Sequence, residues 1–304
     1  MQFNKIIRQF GILWISFGII SSSSFQSLAQ NDKVHLKVMT YNIWNGFDWG
    51  KDTARHELFI SWIQAQNPDV LALQELCGYT EEKLQSDAKK WGHNYAAILK
   101  TDGYPVGITS KSPLEVKERV LDSLWHGMLH VATSGIDFYV VHLSPADARF
   151  RGREAKTITA KIRKDPSEKT IVLGDFNSHS PFDGDYLIQN QSLLDKYRRS
   201  DAKSKYSNLR NGTFDFSVIA AFLALPLEDL CPNFVDASKR YSFPTPVLAG
   251  TYQTMEEVNV NRERIDYILV SPSLAQNCRG MTILNEGETK WLSDHYPVMA
   301  TFEF

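Results

Sequence analysis

The sequence predicts an α/β fold, a sandwich of mixed sheets with helices packed outside, and three observations carry that expectation. Short apolar or alternating runs recur along the chain, amphipathic helical segments fall between only some of them, and no internal repeat breaks the stretch 31–304. Strands that follow one another directly suit antiparallel pairing, and strands separated by a helix allow parallel pairing, so each sheet should be mixed. The length, 304 residues with aliphatic and aromatic runs throughout, suffices for a large core, and residues 31–304 are read as a single domain.

The first thirty residues stand apart. Lys5 and Arg8 precede an apolar stretch from Phe10 to Ile20 and a serine-rich run ending in Ser27-Leu28-Ala29-Gln30, the order of a secretory signal peptide over 1–30. The apolar stretch is shorter than the roughly 20 residues a spanning helix needs, and no cysteine lies there to carry a lipid. Export to a periplasm or the medium is therefore expected; a transmembrane start is the other reading such a core allows. Removal of this segment takes two bases and no acid, which moves the formal charge from −2 to −4. A non-specific nucleic-acid binder gains affinity from a basic surplus that releases counterions, and that surplus is absent here.

Val34 to Asn42 alternates apolar with polar and reads as the opening strand. Residues 52–66 read as a helix stopping ahead of Asn67-Pro68, and 69–73 as a short buried strand. Further strands are legible at 95–99, 106–110, 129–133, 138–143, 171–174, 265–271, 281–284 and 298–302, with helices at 79–91 and 147–164. The stretch 178–262, rich in Asn, Ser, Lys and Pro, is expected to supply loops around a substrate mouth. Within it, Val218 to Leu225 reads as a buried helix stopped by Pro226. Cys77, Cys231 and Cys278 permit one disulfide at most, and burial as small hydrophobes is the plain expectation.

Five strand ends carry chemistry. Asn42 ends the first strand, and Glu75 follows the apolar strand 69–73. His142 closes an aromatic and branched run. Gly174-Asp175-Phe176-Asn177 turns so that Asp175 and Asn177 can share a side, and Asp266 lies upstream of Ser293-Asp294-His295. Each alone has an ordinary reading: a turn amide, a solvent-facing acid, a satisfied structural histidine. An Asp-His pair near a second buried acid is also what a water-activating histidine needs.

Taken together, Asn42, Glu75, Gly174-Asp175-Phe176-Asn177, Asp266 and Ser293-Asp294-His295 resemble, in order and rough spacing over 34–304, the endonuclease/exonuclease/phosphatase superfamily. The resemblance implies a four-layer sandwich, two mixed and mostly antiparallel β-sheets packed face to face and flanked by helices. It also implies a divalent metal, Mg²⁺ or Mn²⁺, held chiefly by Glu75 with Asn42 and Asp294 beside it. His295 oriented by Asp266 would be a base, Asp175 and Asn177 would position water and phosphate, and His142 would donate as imidazolium. Apurinic endonucleases typically carry an acid two residues after the first Asn and an Asn-x-Tyr motif in mid-chain. This chain has Trp44 and His142-Leu143-Ser144-Pro145, so it resembles the deoxyribonuclease and sphingomyelinase side more. Asp102 is the candidate acid partner of His142. Arg149, Arg151 and Arg153, like the cluster from Lys196 to Lys205, read either as a distal phosphate site or as solvated surface.

The expected activity is hydrolysis of a phosphodiester or phosphomonoester by an exported, metal-dependent enzyme. The substrate is open among phospholipid head groups, sugar or inositol phosphates and nucleic acid; no protein partner is implied, and a monomer is expected. The rival reading is a non-catalytic binding module on the same fold. It would show a missing metal or base residue, and the main ones are all present.

Overall fold

Successive residues of a strand point to opposite faces, so the partners of alternate residues show which layers a sheet separates. The structure, a computed structural model, describes residues 34–225 and 227–304. The expected signal segment lies outside them. In chain order the strands are β1 (His35–Asn42), β2 (Val70–Gln74), β3 (Tyr95–Ile98) and β4 (Gly107–Ser110). They continue with β5 (Glu115–Val120), β6 (Met128–Thr133), β7 (Ile136–His142) and β8 (Thr170–Asp175). The last four are β9 (Glu228–Asp229), β10 (Asp266–Val270), β11 (Cys278–Ile283) and β12 (Val298–Glu303).

They form two six-stranded sheets, ordered β11-β12-β1-β2-β4-β3 and β5-β6-β7-β8-β10-β9. Among these described strands only β1–β2 and β7–β8 pair in parallel; their other pairings are antiparallel. Val38, Val70, Ala72 and Ile108 of the first sheet meet Val131, Phe138, Ile171, Leu173 and Ile268 of the second in the central layer. Their chain neighbours face outward. Met39, Tyr41, Leu71 and Leu73 pack on Phe59, Trp62 and Ile63 of the helix Thr53–Gln66. Tyr139, Val141, Val172 and Leu269 pack on Ile158 of the helix Ala148–Lys164 and on Val218 and Phe222 of Ser217–Leu223. Both faces of the central strands are thus covered, which is why they read as nearly continuous apolar runs. The result is the expected four-layer α/β sandwich.

Local signals explain the helix ends. Asp52 caps Thr53–Gln66 by accepting from the Arg55 amide at 3.0 Å, and Asn67 closes it in the left-handed region at φ 51° ahead of Pro68. The expected helix over Val218 to Leu225 is present as Ser217–Leu223, with Val218, Ile219 and Phe222 buried. Two features differ from expectation. Strand β5 reads Glu-Val-Lys-Glu-Arg-Val; its charges hide the alternation, and they suit a sheet edge, which charged side chains protect from pairing with other chains. The stretch 178–262 is also more ordered than a set of loops. The helices Gly184–Gln189 and Gln191–Asp201 close a small cluster of Leu187, Leu193, Leu194, Leu209 and Phe214. All three cysteines are buried and free. Among the described residues no helix is long and apolar enough to cross a membrane.

Gly174 sits at φ 138°, and a Cβ there would fall onto the backbone of Val141 on the neighbouring strand β7. Gly174→Ala should therefore cost about 3 kcal/mol or more, combining overpacking with backbone strain. Gly212, at φ 78° with open space around it, should cost only about 1–2 kcal/mol as alanine. Denaturant midpoints of the two variants check the contrast.

Candidate active site at the sandwich edge

The two parallel pairs end at one edge of the sandwich. Asn42 closes β1 in register with Gln74 of β2, and Glu75 follows directly. His142 closes β7 in register with Asp175, the last residue of β8, and Asp266 opens antiparallel β10 opposite the same Asp175. Ser293-Asp294-His295 precedes β12, which runs antiparallel to β1. Topology therefore delivers the sequence-predicted residues to one place. Trp44, Asn45, Glu75, His142, Asp175, Asn177, Asp294 and His295 line a cleft of about 560 Å³.

Beyond Asn42 the chain makes an unusual excursion. Asn45 to Trp49 all lie in the left-handed region with φ between 51° and 60°, which costs about 1–2 kcal/mol for each non-glycine residue. Gly46 is required, since a Cβ there would overlap the backbone of Cys77. The guanidinium of Arg55 holds the excursion from inside. It donates to Ile43 O at 2.9 Å, to Leu292 O at 3.0 Å and to Trp44 O at 3.0 Å, and lies 5.0 Å from the Trp44 ring centre and 4.9 Å from that of Phe47. The turn places the Asn45 amide 2.7 Å from Glu75 Oε2 and stands Trp44 on the cleft wall. Nothing in the local sequence pattern signalled it.

Asn42 ties the acids together. Its Nδ2 donates to Glu75 Oε1 at 3.2 Å and to Asp175 Oδ2 at 3.1 Å, and its Oδ1 accepts from the Trp44 amide at 3.0 Å. Asp175 Oδ1 accepts from the Asn177 amide at 2.8 Å, while the Asn177 side chain donates to Leu143 O at 3.0 Å. Asp175 Oδ2 lies 3.5 Å from His142 Nε2 and 3.8 Å from His295 Nε2. Asp266 Oδ2 is 2.8 Å from His295 Nδ1, and Asp266 Oδ1 is buried without a partner.

Burial and the charge of Asp266 push Asp175 up to about 8. Burial works against a proton on His295, but Asp266, Asp175 and Asp294 outweigh it and raise the imidazole well above its usual range. His142 goes the other way: burial, with His126 and His295 adding like charge, holds it well below the usual range. His142 and His295 thus have their proton affinities shifted in opposite directions, and among the protein's own groups His142 stands as a neutral ring rather than the expected imidazolium.

Asp102, the candidate acid partner of His142, is exposed, and His142 Nδ1 is buried with no hydrogen-bond partner. The ring stacks instead on His126, with centroids 4.1 Å apart and planes 20° from parallel. Burial, then Lys100, pushes His126 down to about 4. Sequence reasoning missed His126 because it sits in the loop after β5, far from any strand-end motif. Arg151, expected as a phosphate holder or a solvated charge, is buried; it donates to Ser144 O at 2.9 Å and to Asn208 Oδ1 at 2.8 Å.

The donor set fits a divalent cation. Glu75 and Asp294 offer hard oxygens, and Asp294 is pushed up to about 6 by burial and, beyond the relief given by His295, by Glu75. Among the described residues lining the cleft there is no Lys or Arg to balance those acids. Asp175, Asp266 and His295 also bring ligand atoms within 4.8 Å of one another. Within that trio Asp266 Oδ2 is already taken up by His295 Nδ1, so the Glu75–Asp294 side is the better cation seat.

The profile of the Endonuclease/Exonuclease/phosphatase family matches residues 39–295. The chain belongs to that family. As a member it is a metal-dependent phosphoesterase. Among solved structures, an AP endonuclease from Archaeoglobus fulgidus aligns with a TM-score of 0.66 at 19% identity, covering 88% of this chain and 99% of the other. A 3′ phosphatase from Neisseria bound to a product DNA hairpin aligns at 0.65 with 20% identity, covering 88% and 100%. A humanized D. rerio TDP2 aligns at 0.55 with 19% identity, covering 88% and 98%. At such identities these likenesses carry the fold alone.

Arg55→Lys should destabilise this family member by about 2–4 kcal/mol, since one ammonium cannot reproduce a fork reaching three backbone carbonyls and charged hydrogen bonds contribute about 1.5–3 kcal/mol each. Denaturant unfolding measures the loss, and a change under about 0.5 kcal/mol, the range of ordinary surface substitutions, contradicts the clamp.

Proposed function

We propose that the chain is an exported hydrolase of phosphodiester or phosphomonoester bonds that uses Mg²⁺ or Mn²⁺ and a His295–Asp266 pair as base. The observation that carries the reading is the convergence of Asn42, Glu75, His142, Asp175, Asn177, Asp266, Asp294 and His295 on one cleft edge, with hydrogen bonds linking the two sheets across it.

Glu75 and Asp294 would hold the cation, with Asn42 keeping Glu75 in place through Nδ2 while its Oδ1 holds the Trp44 amide. A bound divalent ion supplies positive charge to the phosphoryl oxygens as charge gathers on them. The protein's own groups do the rest. Asp266 accepts from His295 Nδ1, which aims Nε2 so that the ring, in its deprotonated form, can accept the proton of an attacking water. The carboxylates that raise its proton affinity also make His295 the stronger nitrogen base of the cleft. His142, with its lowered affinity, is suited to hydrogen-bond donation. Environments that push two titratable groups apart in this way assign their roles. As water attacks, the new P–O bond forms, the bond to the leaving oxygen breaks with its electron pair, and His295 keeps the proton lost by water.

Purified protein with Mg²⁺ should hydrolyse bis(4-nitrophenyl) phosphate and lose that activity with chelator. His295→Ala should slow kcat about 10²- to 10⁴-fold, the usual worth of a general base; unchanged turnover refutes the assignment. Glu75→Gln should raise the Mg²⁺ concentration for half activity about 10-fold or more, since a hard cation loses a charged ligand. Cell fractionation should recover the chain outside the cytoplasm, shortened by about thirty residues as signal cleavage requires. Full-length protein in the cytoplasm overturns export.

A further inference from the structure

The order of strands in the second sheet gives the cleft a direction. Strand β8 lies between β7 and β10, so Asp175 stands between His142 on one side and the Asp266–His295 pair on the other. If water is activated at His295, in-line displacement expels the leaving group away from it, toward His142. On that side the structure provides a row of rings. His126 stacks on His142 at 4.1 Å, Tyr104 lies 5.5 Å from His126, and Trp49 lies 6.1 Å from Tyr104. His126 and Tyr104 line the cleft; Tyr104 is 37% exposed and Trp49 47% exposed, so the row runs from the reacting centre to the surface.

We propose that His126, Tyr104 and Trp49 form the leaving-group subsite and that it takes a planar, ring-bearing leaving group. The inference rests on the phosphoesterase reading for its direction, but the recognition chemistry stands on the cleft wall itself. No Lys or Arg is found among the described lining residues, and Lys100, close enough to act on His126, stands outside that lining. What the wall offers is ring surface.

The inner end of the row, where His126 stacks on His142, is held by one carboxylate. Glu154 is buried; its Oε1 accepts from the Trp125 amide and its Oε2 from the Ser144 amide, both at 2.8 Å. The first bond fixes the loop that carries His126, and the second fixes the segment two residues beyond His142. Arg151, one turn away on the same helix, grips Ser144 O. The stack is therefore built before any ligand arrives, which is what a binding wall requires to avoid ordering costs.

Calorimetry of the whole protein with Mg²⁺ tests the subsite, using phenylphosphonate and methylphosphonate, which bind without being cleaved. Wild type should bind the phenyl compound on the order of 10-fold more tightly, the scale of stacking one ring on an aromatic wall. Tyr104→Ala and His126→Ala should each bring that ratio close to one, and surface-exposed Tyr104 can be removed without threatening the fold. A ratio near one in wild type, a ratio that survives both variants, or parallel weakening of both ligands overturns the proposal. If the ratio behaves as expected but wild type cleaves no phosphate ester with any divalent ion, the wall stands as a binding site and the hydrolytic reading falls instead.

Discussion

The bond from Asn42 Nδ2 to Asp175 Oδ2, 3.1 Å long and buried, joins the two sheets at the edge where they meet the cleft. Asn42 ends β1 in one sheet and Asp175 ends β8 in the other, 133 positions apart in the chain. Every other contact of the site is arranged around that junction. Glu75 shares the same amide, His142 and His295 both face the same carboxylate oxygen, and Asp266 pairs with Asp175 across the ladder. Two sheets packed face to face can slide relative to each other at small cost to their apolar contacts, because burial is non-directional. A buried polar link has no such tolerance: moving it leaves an acceptor and a donor unpaired, at about 1–3 kcal/mol each. The junction therefore sets the register of sheet on sheet as well as the geometry of the cleft.

Strain next to this junction is the complement of that rigidity. The left-handed run from Asn45 to Trp49 is unfavourable residue by residue, and it persists because Arg55, Gly46 and the buried ring of Phe47 over-determine it. What the strain achieves is specific. It turns a backbone amide toward Glu75 Oε2 while Asn42 holds Oε1, so both oxygens of the carboxylate are oriented by groups that carry no net charge. With both oxygens held, the acid cannot swing out of its place in the cleft wall.

Most of this arrangement was legible in the sequence because strand ends are legible. An apolar run of four to eight residues followed by a polar side chain marks both a buried strand and the residue it delivers, and Glu75, His142 and Asp175 each follow such a run. Asp294 and His295 were readable as an adjacent acid–imidazole pair, and Asp266 entered as the orienting acid through the family resemblance. The missing parts have a common physical cause. His126, the Trp44–Gly50 turn, the clamp by Arg55 and the grip of Glu154 are all made by loops or helix faces whose local patterns are ordinary. Arg55 and Glu154 look like solvated helix charges until tertiary packing buries them. Asp102 misled for the reverse reason: an acid of suitable spacing proved to lie on an exposed turn, and the neighbour His142 acquired was a ring and not a carboxylate.

That replacement matters for the chemistry. A carboxylate beside His142 would have raised its proton affinity as Asp266 raises that of His295, and the cleft would then hold imidazoles of raised affinity on either side of Asp175. Stacking on an uncharged His126 does the opposite, since two parallel rings 4.1 Å apart cannot both be charged without strong repulsion, and burial already disfavours either charge. The cleft is left with a proton-hungry ring at the β10 end and a neutral, aromatic end at β7. This asymmetry follows from which side chain packs behind each histidine. On the proposed mechanism it would give the displacement a direction before any substrate is bound.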